Sequence, residues 1–162
     1  MFVTKEYSDY ISFLEKYRDE LVLVLSNERE KHQALMDSDI ERLEAMLQFQ
    51  QAETMKLKSF EHKRLSMQED MGFKDCGAKE IIEAVGGGEP GDRLRELFDQ
   101  MSDLAVRIKH QNALAIERAN ENLRMLDTIL KSSDFDTGNN VYGPESGRSP
   151  KYSKESAFEK MV

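Results

Sequence analysis

Apolar side chains recur at Tyr7, Tyr10, Ile11, Leu14, Tyr17, Leu21, Val24 and Leu25, then at Leu35 and Met36, in steps of three and four. Such steps place side chains on one helical stripe, because the α-helix turns once in about 3.6 residues. The stripe falters at Glu28, Lys31 and His32, where charge takes over. Asp37-Ser38-Asp39 follows, a run of residues that compete with helical backbone hydrogen bonds. Ser38 and Glu41 match a capping box, with the hydroxyl serving an amide of the next helix and the carboxylate returning the bond. The spacing predicts a tight turn here and a second helix from Asp39 to about Met71; the alternative is one unbroken rod. Ile40, Leu43, Leu47, Met55, Leu57, Leu65 and Met71 carry the second seam, which is weak in the middle at Gln48, Gln50 and Gln51. A third seam runs through Leu94, Leu97, Phe98, Met101, Leu104, Ala105, Ile108, Ala115, Ala119, Leu123, Leu126 and Ile129.

Punctuation agrees with these seams. All nine glycines and all three prolines lie within Gly72–Gly91 and Gly138–Pro150. Glycine costs ~1 kcal/mol and proline ~3 kcal/mol inside a helix, so their absence elsewhere leaves two long stretches free to be helical. Gly72 suits a C-cap, and Phe73 the hydrophobic contact that accompanies one. Ala78–Val85 reads as a short helix ended by Gly86-Gly87-Gly88, and Pro90 and Asp92 introduce the last long helix. The fold class expected is all-α: three long antiparallel amphipathic helices, a hairpin plus a third, with one short connector helix, as an elongated bundle. Residues 1–131 form the expected bundle domain. Residues 132–162 form an expected mobile tail, polar but carrying Phe135, Tyr142, Tyr152 and Phe158.

Composition narrows the function. A net charge of −8 argues against a nucleic-acid partner or an acidic membrane surface, since both need clustered cations. Cys76 is the only cysteine, which rules out a disulfide within the chain and fits a reducing compartment. The start lacks the apolar region of a signal peptide, and the longest apolar run, Leu21–Leu25, is far short of the ~20 residues that span a bilayer. A cytoplasmic protein without stable membrane insertion is expected.

Chemistry is hard to find. A di-iron bundle needs two Glu-x-x-His pairs, yet Arg29, Ser59 and Arg107 precede His32, His62 and His110 by three. One cysteine and three scattered histidines cannot make a tetrahedral zinc site. The glycine-rich run at Gly86–Gly91 follows a helix rather than a strand and lacks a Gly-Lys-Ser/Thr ending, so it reads as a connector. No catalytic residue, metal or cofactor is expected, and the chain is read as a non-enzyme. Two features point to partners instead. Leu114 and Met125 fall on the face of the last helix turned away from its seam, where they suit an adaptable groove for another helix. Asn112 and Asn122 place amides at or beside the seam, as a register-setting layer or as partner-reading groups.

The run Leu-Met-Asp-Ser-Asp-Ile-Glu-Arg-Leu-Glu-Ala-Met-Leu at Leu35–Leu47, with the Gln/Lys/Glu-rich helix after it, resembles the FlgN family of flagellar export chaperones. Ile108–Leu126 resembles that family's last long helix, with Asn112 and Asn122 at its typical asparagines. Asn140-Val-Tyr-Gly-Pro-Glu-Ser146 looks like the short tyrosine–glycine motif beyond it. The resemblance implies a cytosolic protein that binds the C-terminal amphipathic segment of hook–filament junction proteins, blocks their premature assembly and delivers them to the export gate. It implies substrate binding on about Leu104–Leu130, which includes Asn112, Leu114, Asn122 and Met125, and docking to the cytosolic domain of the gate through Tyr142 and Gly143. The longer tail after Gly147 and the triple-glycine connector depart from the family's pattern. A structural coiled coil that only self-associates is the alternative, and homodimer formation is left open.

Overall fold

The computed structural model describes residues 2–132, with side chains from Tyr7 onward. Four helices account for nearly all of it: α1 (Phe2–Met36), α2 (Ile40–Asp70), α3 (Ala78–Val85) and α4 (Glu89–Ser132). No strand occurs among the described residues. The tail expected from residue 132 onward lies, from 133, outside them.

The heptad-like stripe of α1 does not falter after all. Tyr10, Leu14, Val24, Glu28, Lys31 and Leu35 are all buried and keep one register along the helix. Charge at Glu28 and Lys31 thus belongs to the seam. The turn after α1 excludes the unbroken rod, and its details differ from the expected capping box. Ser38 takes a left-handed conformation at φ 53°, and Asp39 is the N-cap, accepting from the Arg42 amide at 3.1 Å. Two adjacent candidates compete for the cap; Ser38 is in the left-handed region, whereas Asp39 has the extended backbone of an N-cap and places its carboxylate on the third amide of the helix.

The other boundaries follow local chemistry. Gly72 sits at φ 82°, donating to Glu69 O at 3.0 Å, while the Phe73 amide reaches Gln68 O at 2.7 Å. This pair of bonds is the Schellman arrangement, and Phe73 folds its ring onto the core. The corner between α3 and α4 depends on Gly91: a Cβ there would stand 2.2 Å from the Gly86 carbonyl oxygen. Only glycine permits that approach, which turns α4 back across α3.

Cross-helix bonds give the directions. Tyr10 pairs with Gln68 and Lys31 with Gln50, so α1 and α2 are antiparallel. Arg93 pairs with Glu15 near one end of α1, and Asn122 with the Leu35 carbonyl at the other, so α4 runs parallel to α1. The expectation that every long neighbour is antiparallel is corrected to this extent. Both α2 and α4 pack on α1, and their backbones scarcely approach each other.

The core is concentrated at the end where α3 sits. Tyr10, Phe13 and Leu14 of α1 meet Ile81 of α3 and Leu94 and Leu97 of α4. Phe60 of α2 stacks on Tyr17 at 5.3 Å and on Phe13 at 5.8 Å. Beside them, Tyr10 donates to Gln68 Oε1 at 2.8 Å and Tyr17 to Glu61 Oε2 at 3.1 Å, with Arg64 bonded to both acceptor residues. Burial pushes both phenols up to about 12, and the Arg64 hydrogen bond holds Glu61 below the ordinary carboxylate range.

Away from that end the seams thin out. Ile40, Met55 and Leu65 of the expected α2 seam are exposed, and so are Leu123, Leu126 and Ile129 of the α4 seam. For α4 the reason is register. Leu35 is already level with Asn122, and α1 ends at Met36. The last ten residues of α4 therefore project ~14 Å beyond the helix that supports the rest.

These positions make opposite predictions. Leu97→Ala removes a side chain with no solvent exposure and is expected to cost ~2–5 kcal/mol by urea unfolding. Leu123, 64% exposed, is expected to tolerate alanine within ~0.5 kcal/mol. A large loss at Leu123, whose substitution by aspartate would unfold a helix buried along its whole seam, would refute the register described here.

Candidate functional site

Because α2 and α4 flank α1 without closing on each other, a cleft runs between them with α1 as its floor. It has two parts. The distal groove, of about 350 Å³, is walled by Ile40 and Leu43 at the start of α2 and by Met125, Leu126 and Ile129 on the projecting end of α4. Ala34, Leu35 and the Ser38-Asp39 turn close its base. The central slot, of about 380 Å³, lies between Leu57 of α2 and Ile108 of α4, over Tyr17 and Val24 of α1.

A polar clasp separates the two. Lys31 is 1% exposed; its ammonium donates to Asn112 Oδ1 at 3.0 Å and Gln50 Oε1 at 3.1 Å and forms an ion pair with Glu28 Oε2 at 2.8 Å. An ammonium has three N–H donors, and burying it with fewer partners would cost several kcal/mol. The clasp joins α2 to α4 through α1 and sets their separation. It is legible in the sequence only in hindsight: Glu28 and Lys31 keep the register of Leu25 and Leu35, and that register is the signal that their charge is internal.

The expected site residues divide between these places. Asn122 and Met125 both line the distal groove, where Asn122 Nδ2 donates to the Leu35 carbonyl at 3.4 Å. Asn112 is buried in the clasp and lines the central slot. Leu114 is half-buried and lines neither. Tyr142 and Gly143 lie outside the described residues. By spacing alone Ile40, Leu43, Leu126 and Ile129 belong to seams; each continues a valid stripe past the point where α1, the helix on which both seams pack, ends.

The slot holds one unusual carboxylate. Glu53 is 6% exposed, and its Oε2 accepts from the neutral Asn27 amide at 2.5 Å. Burial raises its pKa above the ordinary value, with the Asn27 bond pulling down, Glu20 and Glu28 pushing up and Lys31 pulling down. Elsewhere, burial pushes the Cys76 thiol up, with Glu80 and Asp75 adding to the effect, so it carries little thiolate character. Among the described residues no cluster of three His, Cys, Asp or Glu could hold a metal ion, and no helix is long and apolar enough to cross a membrane.

A carboxyl whose native pKa is raised binds its proton more tightly when folded. The penalty from Glu53 is therefore absent below its unfolded value, near ~4.3, and grows as pH rises through the native value. Glu53→Gln is expected to raise Tm by a few degrees at neutral pH, with the gain shrinking towards about pH 4. Thermal melts followed by circular dichroism at the two pH values check this, and a lower Tm at neutral pH would contradict it.

No curated protein and no solved structure matches the chain. A family model does: that of the FlgN protein, over residues 5–150, which takes in all four helices from their first turns and continues through Tyr142 and Gly143. A match over most of the length, on a chain whose helices enclose an open apolar cleft, establishes that the protein belongs to the FlgN family of flagellar chaperones.

Proposed function

We propose that the protein is a cytosolic flagellar export chaperone that holds the C-terminal amphipathic segment of a hook–filament junction protein in the distal groove. One observation carries the reading. Leu123, Met125, Leu126, Ile129 and Leu130 are each more than half exposed on a helix end that projects beyond its own support, opposite Ile40 at 71%. A contiguous apolar surface of this kind marks a place where another molecule binds. A helix laid along it would bury its apolar face against α2 and α4 by the usual helix-in-groove packing. Met125 suits such a role because an unbranched thioether side chain adapts to different partners. A junction subunit that polymerises through its terminal helix stays unassembled while that helix is covered.

The groove's walls are mainly apolar, as a surface for another helix would be. Docking at the cytosolic domain of the export gate is assigned to Tyr142 and Gly143, on the family resemblance of Asn140–Ser146. Tyr142 follows Ser132, the last residue of α4, by ten residues. An aromatic ring with a hydroxyl at that distance can fill a pocket on a second partner without leaving the first.

Replacing Met125 and Leu126 together by aspartate is expected to weaken binding of a junction protein's C-terminal segment by about tenfold or more, with the helical spectrum unchanged. Calorimetry with the full chain measures it, and unaltered affinity would move the site. A doubled mass by light scattering, with no junction protein bound, would favour the self-associating coil instead. Tyr142→Ala is expected to leave that affinity unchanged and to reduce binding to the gate's cytosolic domain. The reverse pattern would mean that the two roles have been assigned the wrong way round.

A further inference from the structure

The central slot lies in line with the distal groove, and its chemistry differs. On α2 the groove is walled by Ile40 and Leu43 and the slot by Glu53, Leu57 and Glu61; on α4 the corresponding walls are Met125 to Ile129 and Ile108 to Asn112. From Ile40 to Glu61 the cleft follows α2 for ~32 Å, the length of a helix of about 20 residues. A partner helix seated in the groove and continuing along the cleft would pass the clasp and enter the slot.

The carboxylates there are not equivalent. Lys31 neutralises Glu28 at 2.8 Å, and Arg64 grips Glu61 through both oxygens. At the slot's edge Lys56 answers Glu20 at 2.8 Å. Glu53 forms no ion pair at contact distance among the described residues: Oε2 takes the neutral Asn27 amide, while Lys31 acts on it only through its field and Lys58 shares the slot's lining. Mostly buried yet lining the open slot, it is a partly desolvated carboxylate with one oxygen left without a protein hydrogen bond and room for a cation beside it. A carboxylate in this condition gains more from an arriving cation than a solvated one does, because its own desolvation has already been met in folding.

We propose that Glu53 is a specificity-determining residue, and that the partner helix carries a lysine or arginine on its apolar stripe which enters the central slot and pairs with it. Val24, Leu57 and Ile108 cover the aliphatic stem of that side chain, as long basic residues require when their heads reach a buried partner. Gln50 and Asn112, fixed by Lys31, present the polar step that the same helix must pass. Recognition by the cleft then has two parts: apolar bulk for the distal groove and one positive charge, about three helical turns away, for the slot. The proposal rests on the chaperone reading only for the source of the helix.

Two synthetic helical peptides of about 20 residues test it, identical in their leucine stripe and differing in one central stripe position, lysine in one and methionine in the other. Their affinities for the full chain and for Glu53→Gln are measured by fluorescence anisotropy, with circular dichroism confirming that the variant is folded. The wild-type chain is expected to prefer the lysine peptide by about tenfold, and Glu53→Gln to abolish the preference. Equal affinities in the wild type, an undiminished preference in Glu53→Gln, or no binding of either peptide would overturn the proposal. Failure of the chaperone reading looks different: the lysine preference survives while the junction segments do not bind.

Discussion

The Lys31 ammonium, buried on the floor between two helices that barely meet, is the constraint on which the shape of this molecule depends. It must be surrounded by compensating groups, and those on three helices include its ion-pair partner Glu28 on α1 and its hydrogen-bond acceptors Gln50 on α2 and Asn112 on α4. An apolar residue in its place would let α2 and α4 slide or close over α1. A cation with fixed acceptors holds them at one separation and one register, as single polar groups do in coiled-coil seams. The cleft is what that separation leaves open.

The two ends of the bundle serve different purposes. At the α3 end, aromatic stacking, the Tyr10–Gln68 and Tyr17–Glu61 bonds and the Gly86–Gly91 corner lock four helices together. At the other end α4 outruns α1, and large apolar side chains stand in solvent. A stable end that tolerates an unfinished one is a sensible arrangement for a chaperone. On the proposed reading, the surface that would take a partner is already exposed, and no part of the core has to open to receive it.

Much of this was legible in the sequence. Glycines mark the end of α2, both ends of α3 and the start of α4 to within two residues, Gly72 and Phe73 announce their cap, and the Asp37-Ser38-Asp39 run marks the turn between α1 and α2. What could not be read was which stripes find partners. Leu123, Leu126 and Ile129 follow a faultless helical spacing, and only the end of α1 at Met36 reveals that no helix among the described residues covers them. Glu28 and Lys31 failed in the opposite sense, since charge in a seam reads as a break unless its acceptors on other helices are known. Of the site residues, Asn122 and Met125 fall together in the groove, and Asn112 belongs to the clasp that bounds the neighbouring slot. Glu53 carried no local signal, because its burial depends on packing against Asn27, 26 residues away.

The most direct test is a titration of the full chain, labelled at isoleucine, leucine and methionine methyl groups, with a junction protein's C-terminal segment, followed by methyl NMR. The account predicts that Ile40, Leu43, Met125, Leu126 and Ile129 shift strongly while Leu94 and Leu97 in the core stay still. Shifts confined to the opposite side of α4, or spread evenly through the core, would contradict it.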